Sequence, residues 1–381
     1  MEAIPEVKSS FMVKERPHAL HSTRIQHWQL RDLVKCAKVN EDVYLWTVSS
    51  SETHDGTRFD YINRFGPVGQ PNARSAQRFE LGWAPTTIDT AGHLLAVGGH
   101  AGVVDIYDVE SEGQAPLIHI TDIGSQTVNN VALIQHGEDT FLYTCSNDKS
   151  VRVYRILPSE GRAEYVTRKV HHVPANYITG SPDGKYVLVV GDSEEVVLYK
   201  INDAHTSLSR VRQFNTKIPG VRIHDDVSVA ADFSPDGILL AVGTQNGYTH
   251  LFSVAEVLRE STPSPLVVIQ STQHSSHGAV RSLKFSPNKE YNLLLVGEHD
   301  RVAEIVDVRP FKDIARGLSV SHELPIIKRQ IVSVARDQFG ETCGSCWGPT
   351  GDSFFVAQEQ RLYMGSVNEA NRLGFGVMDL A

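Results

Sequence analysis

One short pattern recurs along this chain. An apolar strand runs into a tight turn, a second strand is apolar at nearly every position, and a third strand carries a bulky residue near its end. The clearest copy is residues 177–200, YITGSPDGKYVLVVGDSEEVVLYK. In its turn, Ser181-Pro182-Asp183-Gly184, proline presets φ, aspartate bonds its own backbone and glycine takes the positive φ that closes the loop. A three-stranded meander cannot bury both of its faces alone, so copies elsewhere decide the fold.

Residues 33–37 and 43–48 are expected as the second and third strands of an opening meander, with Trp46 as its bulky residue. Further copies follow at 86–109, 128–156, 177–201, 227–254, 280–308 and 343–367, two of them repeating the Ser-Pro-Asp-Gly turn. The marks Trp46, Tyr107, Tyr154, Tyr199, Phe252, Val306 and the degraded Gly365 are 61, 47, 45, 53, 54 and 59 residues apart. The shorter spacings approach the period of ~40–45 residues expected of a four-stranded propeller blade, and the longer ones leave room for loop insertions. Second strands such as 94–97, 186–190 and 293–296 are apolar at every position, as in a sheet packed between two other sheets. The expected fold is all-β: a single-domain, seven-bladed β-propeller. Residues 24–381 are assigned to the ring and residues 1–23 to an N-terminal segment open to disorder. Residues 24–30 are expected to close the last blade, with 372–378 as the competing segment.

The residues also carry a resemblance. SHGAVRSLKFSP (276–287) resembles the start of a WD40 repeat and SNDKSVRVY (146–154) its end, although no single repeat holds the full His–Asp–Ser/Thr–Trp set. More closely, VNN (128–130), NYITGSPDGKYVLVVGD (176–192), AADFSPDGILLAVGTQ (230–245) and AEIVDV (303–308), together with those two stretches, are similar to a fungal and plant family of WD-repeat proteins. A yeast member of that family is a substrate receptor of the GID ubiquitin ligase and recognises the N-terminus of its targets. The resemblance therefore implies a non-enzymatic receptor whose partners are ubiquitin-ligase subunits and degron-bearing substrates. The alternative is a general scaffold for assembling a multi-protein complex, and a catalytic site in the central channel is the third reading.

Charge and cysteine content narrow the field. A net charge of −9 gives no bias toward nucleic acid or anionic membrane, and no apolar run approaches the ~20 residues of a membrane helix. The opening MEAIPEVKSSFMVKERP lacks the apolar core of a secretory signal, and four cysteines suit a reducing compartment, so cytoplasm and/or nucleus is expected. Cys343-Gly344-Ser345-Cys346 could be a redox pair or half a zinc site, but on a strand residues three apart face opposite ways, which favours core cysteines. His171-His172 and His224-Asp225-Asp226 lack a regular second half as metal ligands, and 180–185 is a turn instead of a phosphate loop. No cofactor, metal or catalytic residue is expected.

The remaining candidates lie on the rim where second strands turn into third strands and loops enter first strands. They are Asn129, Asn130, Asn147, Asp148, Asn176, Asp192, Gln245, Asn246, Arg281, Glu298, His299 and Arg301. Asp148, Asp192 or Glu298 could pair with a peptide ammonium group. Tight turns also select Asn and Asp for purely conformational reasons. Tyr61 and Phe65, with Arg64, are expected as exposed interface anchors in a long connection.

Overall fold

The computed structural model describes residues 32–39, 42–52, 58–66, 75–111, 113–121, 123–202, 204–217, 226–273, 278–300, 302–318, 327, 329–333, 341–359 and 362–367. Seven antiparallel sheets follow one another along the chain, each ordered first strand to last from its inner to its outer edge. Blade 1 comprises Val34–Val39, Asp42–Glu52, Arg58–Phe65 and Ser75–Leu81. The innermost strands of blades 2 to 7 are Pro85–Ala91, Val128–His136, Ala175–Gly180, Ser228–Phe233, Val280–Phe285 and Thr342–Trp347. Each innermost strand packs against those of both neighbouring blades, so the ring closes on itself. At the seam the Leu33 N–H donates to the Cys343 carbonyl (3.1 Å) and the Ile88 N–H to the Asp32 carbonyl (3.0 Å), tying blades 7, 1 and 2 together. Blade 7 shows three strands among the described residues. Both candidate closing segments, 24–30 and 372–378, lie outside the described residues.

The core is not one mass but a series of layers between blades. In the second strand of blade 4, Val187 and Val189 pack with Tyr143 and Val151 of blade 3, whereas Leu188 and Val190 pack with Leu240 and Phe252 of blade 5. In blade 2, Leu95 and Val97 face blade 1 while Leu94 and Ala96 face blade 3. The pleat sends alternate residues to opposite faces, so two apolar walls require a strand without polar alternation. Each such Val or Leu contributes about 1.5–3 kcal/mol of burial.

The Ser-Pro-Asp-Gly turns close first strands onto second strands on the lower face. Ser181 Oγ donates to Asp183 Oδ1 and Ser234 Oγ to Asp236 Oδ1, both at 2.6 Å. Gly184 (φ +69°) and Gly237 (φ +71°) take the left-handed conformation the turn requires.

Blade 1 departs from the expected register by one strand. Residues 34–39 form its first strand, not its second, and Trp46 sits on the second strand. That strand runs eleven residues, and its serine-rich end, Ser49–Ser51, reads as loop until the pairing with Arg58–Phe65 is seen. The expected connection 49–78 thus contains the third strand and the start of the fourth. The other six marks fall on third strands. Gly365 lacks a bulky side chain because its pairing partner, Phe354, occupies that volume: a Cβ at 365 would lie 2.1 Å from the Phe354 ring.

Candidate binding face

The upper face is built by a repeated backbone irregularity. In blades 2 to 7 the first strand is bulged near its start, at Thr86, Asn129, Asn176, Val229, Arg281 and Cys343. A bulge re-aims a side chain and breaks the ladder, and in blades 2 to 4 it turns polar groups toward the next blade. Thr86 donates to the Val128 carbonyl, Asn129 Nδ2 to the Ala175 carbonyl (2.9 Å) and Asn176 Nδ2 to the Ser228 carbonyl (3.3 Å). The residue after the bulge accepts in return: Thr87 Oγ1 from the Val131 N–H (3.3 Å) and Asn130 Oδ1 from the Ile178 N–H (3.2 Å). Asn129, Asn130 and Asn176 are therefore buried inter-blade staples rather than open rim groups.

The exposed part of the rim lies one step outward, held by those staples. Asn147 Oδ1 accepts from Asn129 (2.7 Å), Asp192 Oδ1 from Asn176 (2.8 Å) and Gln245 Oε1 from Arg281 Nη1 (2.7 Å). Asp148 accepts from the Ser150 N–H (3.1 Å) and from Arg152 Nη2 (2.7 Å), with Arg168 at 3.8 Å. Burial pushes its pKa upward, but the Arg152 and Ser150 hydrogen bonds outweigh that and hold the carboxyl below its ordinary value. Asn147, Asp148, Asp192 and Gln245 are half-buried and share the face; Asn246 is exposed.

Three other expectations change. Glu298 is 1% exposed and turned inward, accepting from Gln273 Nε2 (2.6 Å). Burial, with Glu304 beside it, pushes its pKa up to about 7, and its buried position keeps the carboxyl off the rim. Arg281 is buried as well, bonding His299 Nδ1 at 3.1 Å. Tyr61 and Phe65 are 7% and 8% exposed because their segment is the third strand of blade 1, not a loop. Arg64 lies over the Tyr44 and Trp46 rings at 4.7 and 5.7 Å. Arg301, His224 and Asp225 lie outside the described residues.

The cysteines and histidines sit in structural settings. Cys145, Cys343 and Cys346 are buried, and burial raises the Cys36 thiol to about 12 and pushes those of Cys145 and Cys346 well above the ordinary thiol value. His171 Nε2 lies 3.2 Å from the Tyr199 hydroxyl, and His172 Nε2 is 3.2 Å from Glu195. Asp226 caps the Asn246 N–H (3.1 Å). Among the described residues no three His, Cys, Asp or Glu side chains converge on a metal position.

Sequence reasoning missed a charged network across the axis. Asp32 Oδ2 receives Lys35 Nζ (3.0 Å), the Tyr177 hydroxyl (3.1 Å) and Asn130 Nδ2 (3.4 Å), with Lys284 Nζ at 3.7 Å. Lys35 also lies 3.3 Å from Asp89, and Lys284 donates to the Tyr177 hydroxyl. Asp89 and Asp232 accept the Leu133 and Phe285 N–H groups of the following blades (2.8 and 2.7 Å). Six blades thus meet across the ring at this level. Burial opposes the Asp32 charge, yet Lys284 and Lys35 hold its pKa below the usual carboxylate value. Asp232 is pushed up to about 6 by burial, with Lys284 pulling the other way. A faint signal existed: Asp89, Asp232 and Lys284 each stand three residues past the bulge, and Asp89 and Asp232 are the sole charged residues of their strands.

The WD domain, G-beta repeat family matches residues 118–155, the outer strand of blade 2 and most of blade 3. An uncharacterised protein domain family (DUF2415) matches residues 278–314, in blade 6. The chain is similar to the uncharacterized protein C4G3.03 of Schizosaccharomyces pombe, 24% identical over 96% of both chains. It is also similar to the uncharacterized protein YLR149C of Saccharomyces cerevisiae, 25% identical over 60% of this chain and 32% of that one. Ring and repeat agree: the fold is a seven-bladed, WD40-like β-propeller, of the kind that generally mediates protein–protein interactions.

Proposed function

We propose that the propeller captures a protein or peptide segment on its upper face and serves as a substrate receptor of a GID-type ubiquitin ligase, in the cytoplasm and/or nucleus. The observation that carries the binding role is the pairing of three half-exposed rim groups with buried side chains: Asn147 with Asn129, Asp192 with Asn176, Gln245 with Arg281. Groups held this way lose little freedom when a partner arrives. Asp148 and Asp192 supply the carboxylates for a cationic or amino-terminal group. The ligase assignment rests on the family resemblance of roughly residues 125–365. On this reading the chain performs no chemistry of its own and works without cofactor or metal.

Affinity purification of the tagged protein from its own cells, followed by mass spectrometry, tests both levels. Ligase subunits in the wild-type sample, and bound substrates lost in Asp148→Ala and Asp192→Ala, are the expected result. Stable recovery of an unrelated complex without ligase subunits refutes the receptor role and leaves the scaffold reading.

A further inference from the structure

Two of the three large apolar side chains that stand exposed among the described residues lie on one element. Tyr165 is 55% and Val170 67% exposed, and both belong to Arg162–Val170, the outermost strand of blade 3. The outer edge of such a strand presents main-chain groups that its own sheet does not use. Just past its end, a cleft of about 10 Å³, room for about one water, lies between the 171–175 loop and blade 4, with Val173, Pro174, Val189 and Val197 among its walls. His172 and Glu195, also in its lining, pair with each other at 3.2 Å.

The charge here runs against the rest of the molecule. Residues 149–217 contain eleven Lys and Arg against seven Asp and Glu, a balance of +4 in a chain of −9. On the strand itself Arg162, Arg168 and Lys169 outnumber Glu164; Arg162 pairs with Glu160 (2.7 Å) and Arg168 lies 3.8 Å from Asp148. The His171 N–H is bonded to the Lys149 carbonyl (2.7 Å), which brings Lys149 to the same seam. A cationic edge repels a second copy of itself, the common safeguard for an open strand. By the same Coulomb term it attracts an acidic one.

We propose that this seam docks an extended acidic segment of a partner protein, which adds along the edge of Arg162–Val170 and lays apolar side chains against Tyr165 and Val170. Peptide is favoured over nucleic acid because main-chain edge groups pair with another main chain. The exposed Tyr165 ring already packs edge-on against Tyr154 at 5.7 Å and the His172 ring pairs with Glu195, so neither is free as a stacking platform. The inference rests only on the protein-binding part of the reading above. Its failure would leave the ligase assignment standing, because that is tested by co-purification.

The probe is a fluorescein-labelled peptide of about ten alternating Glu and Val residues, acetylated at its N-terminus and titrated with the full chain by anisotropy. A Lys–Val counterpart, an unacetylated acidic peptide and a single-stranded oligothymidylate serve as comparisons. The expected result is acidic-peptide binding that weakens with salt and falls at least roughly tenfold in Val170→Asp and in Lys169→Glu. Unchanged circular dichroism and melting would accompany both losses, with Tyr165→Asp as a second apolar variant. Each of the following overturns the proposal: no acidic-peptide binding up to about 1 mM, equal binding of the Lys–Val peptide, a requirement for the free amino terminus, tighter binding of the oligothymidylate, or unchanged affinity in Val170→Asp. Sedimentation showing a dimer that Val170→Asp abolishes also overturns it, since a second copy would then occupy the edge.

Discussion

Replacing Lys284 by methionine tests how the ring is held at its axis. The side chain keeps its volume and loses its charge. Three carboxylates, Asp32, Asp89 and Asp232, are then left with Lys35 as the remaining ammonium group of the network. Removing one partner from a buried ionic network costs about 3–5 kcal/mol, because the remaining charges keep their desolvation penalty. With an unfolding entropy of about 2.1 cal/mol/K per residue, the 381-residue chain would melt roughly 4–6 °C lower if it unfolds as one unit. The pH dependence gives a sharper test. Asp232 has a folded pKa raised to about 6, so the folded state keeps a proton that the unfolded chain releases near pH 4. Such a group lowers stability as pH rises from about 4 through 6, then contributes a constant penalty. Without Lys284 its carboxylate is still harder to form, so the loss in the variant should be smaller at pH 5 than at pH 8. Trp347 reports directly, since its indole N–H donates to the Lys284 carbonyl (2.9 Å). Thermal melts followed by tryptophan fluorescence across that range, with the exposed Lys185→Met as control, make the measurement. A shift below about 1 °C, or an equal shift at every pH, would refute the account of the axial network.

Three further outcomes follow from the same contacts. Asn176→Ala should cost about 1–3 kcal/mol in urea unfolding by stripping the Ser228 carbonyl of its donor, whereas Asp192→Ala, half-exposed, should cost less than about 1 kcal/mol. Equal losses would show that the staple is not the stronger element. Gly365→Ala should lower the melting temperature, because its Cβ collides with the Phe354 ring, and Phe354→Leu in the same chain should recover part of the loss. Glu298 has a folded pKa raised to about 7, so its contribution to stability falls as pH rises from about 4.5 through 7. Glu298→Gln should flatten that decline and melt higher than the wild type at pH 8; an unchanged pH profile would refute the assignment.

Much of the architecture is legible in local chemistry. Pro-Asp-Gly turns, wholly apolar second strands and recurring third-strand aromatics act over a few residues, and six of the seven blades follow from them. Blade 1 does not, because Ser49–Ser51 is a poor strand former that pairing with Phe59–Tyr61 draws into a sheet. The same limit governs the binding face. Asn129 and Asn147 are both asparagines beside turns, but the bulge in Val128–His136 turns one inward while the other remains half-exposed.

Sequence alone determined the repeat, the turn chemistry and the two-sided burial that makes a ring of sheets the available packing. All of these arise from neighbours in the chain. Only the tertiary structure decided which polar groups are left for a partner and which are spent holding the blades together. Lys284 meets Asp32, 252 residues away in the sequence, solely because the ring closes. The sign and burial of such a contact are set by residues that no local pattern places side by side.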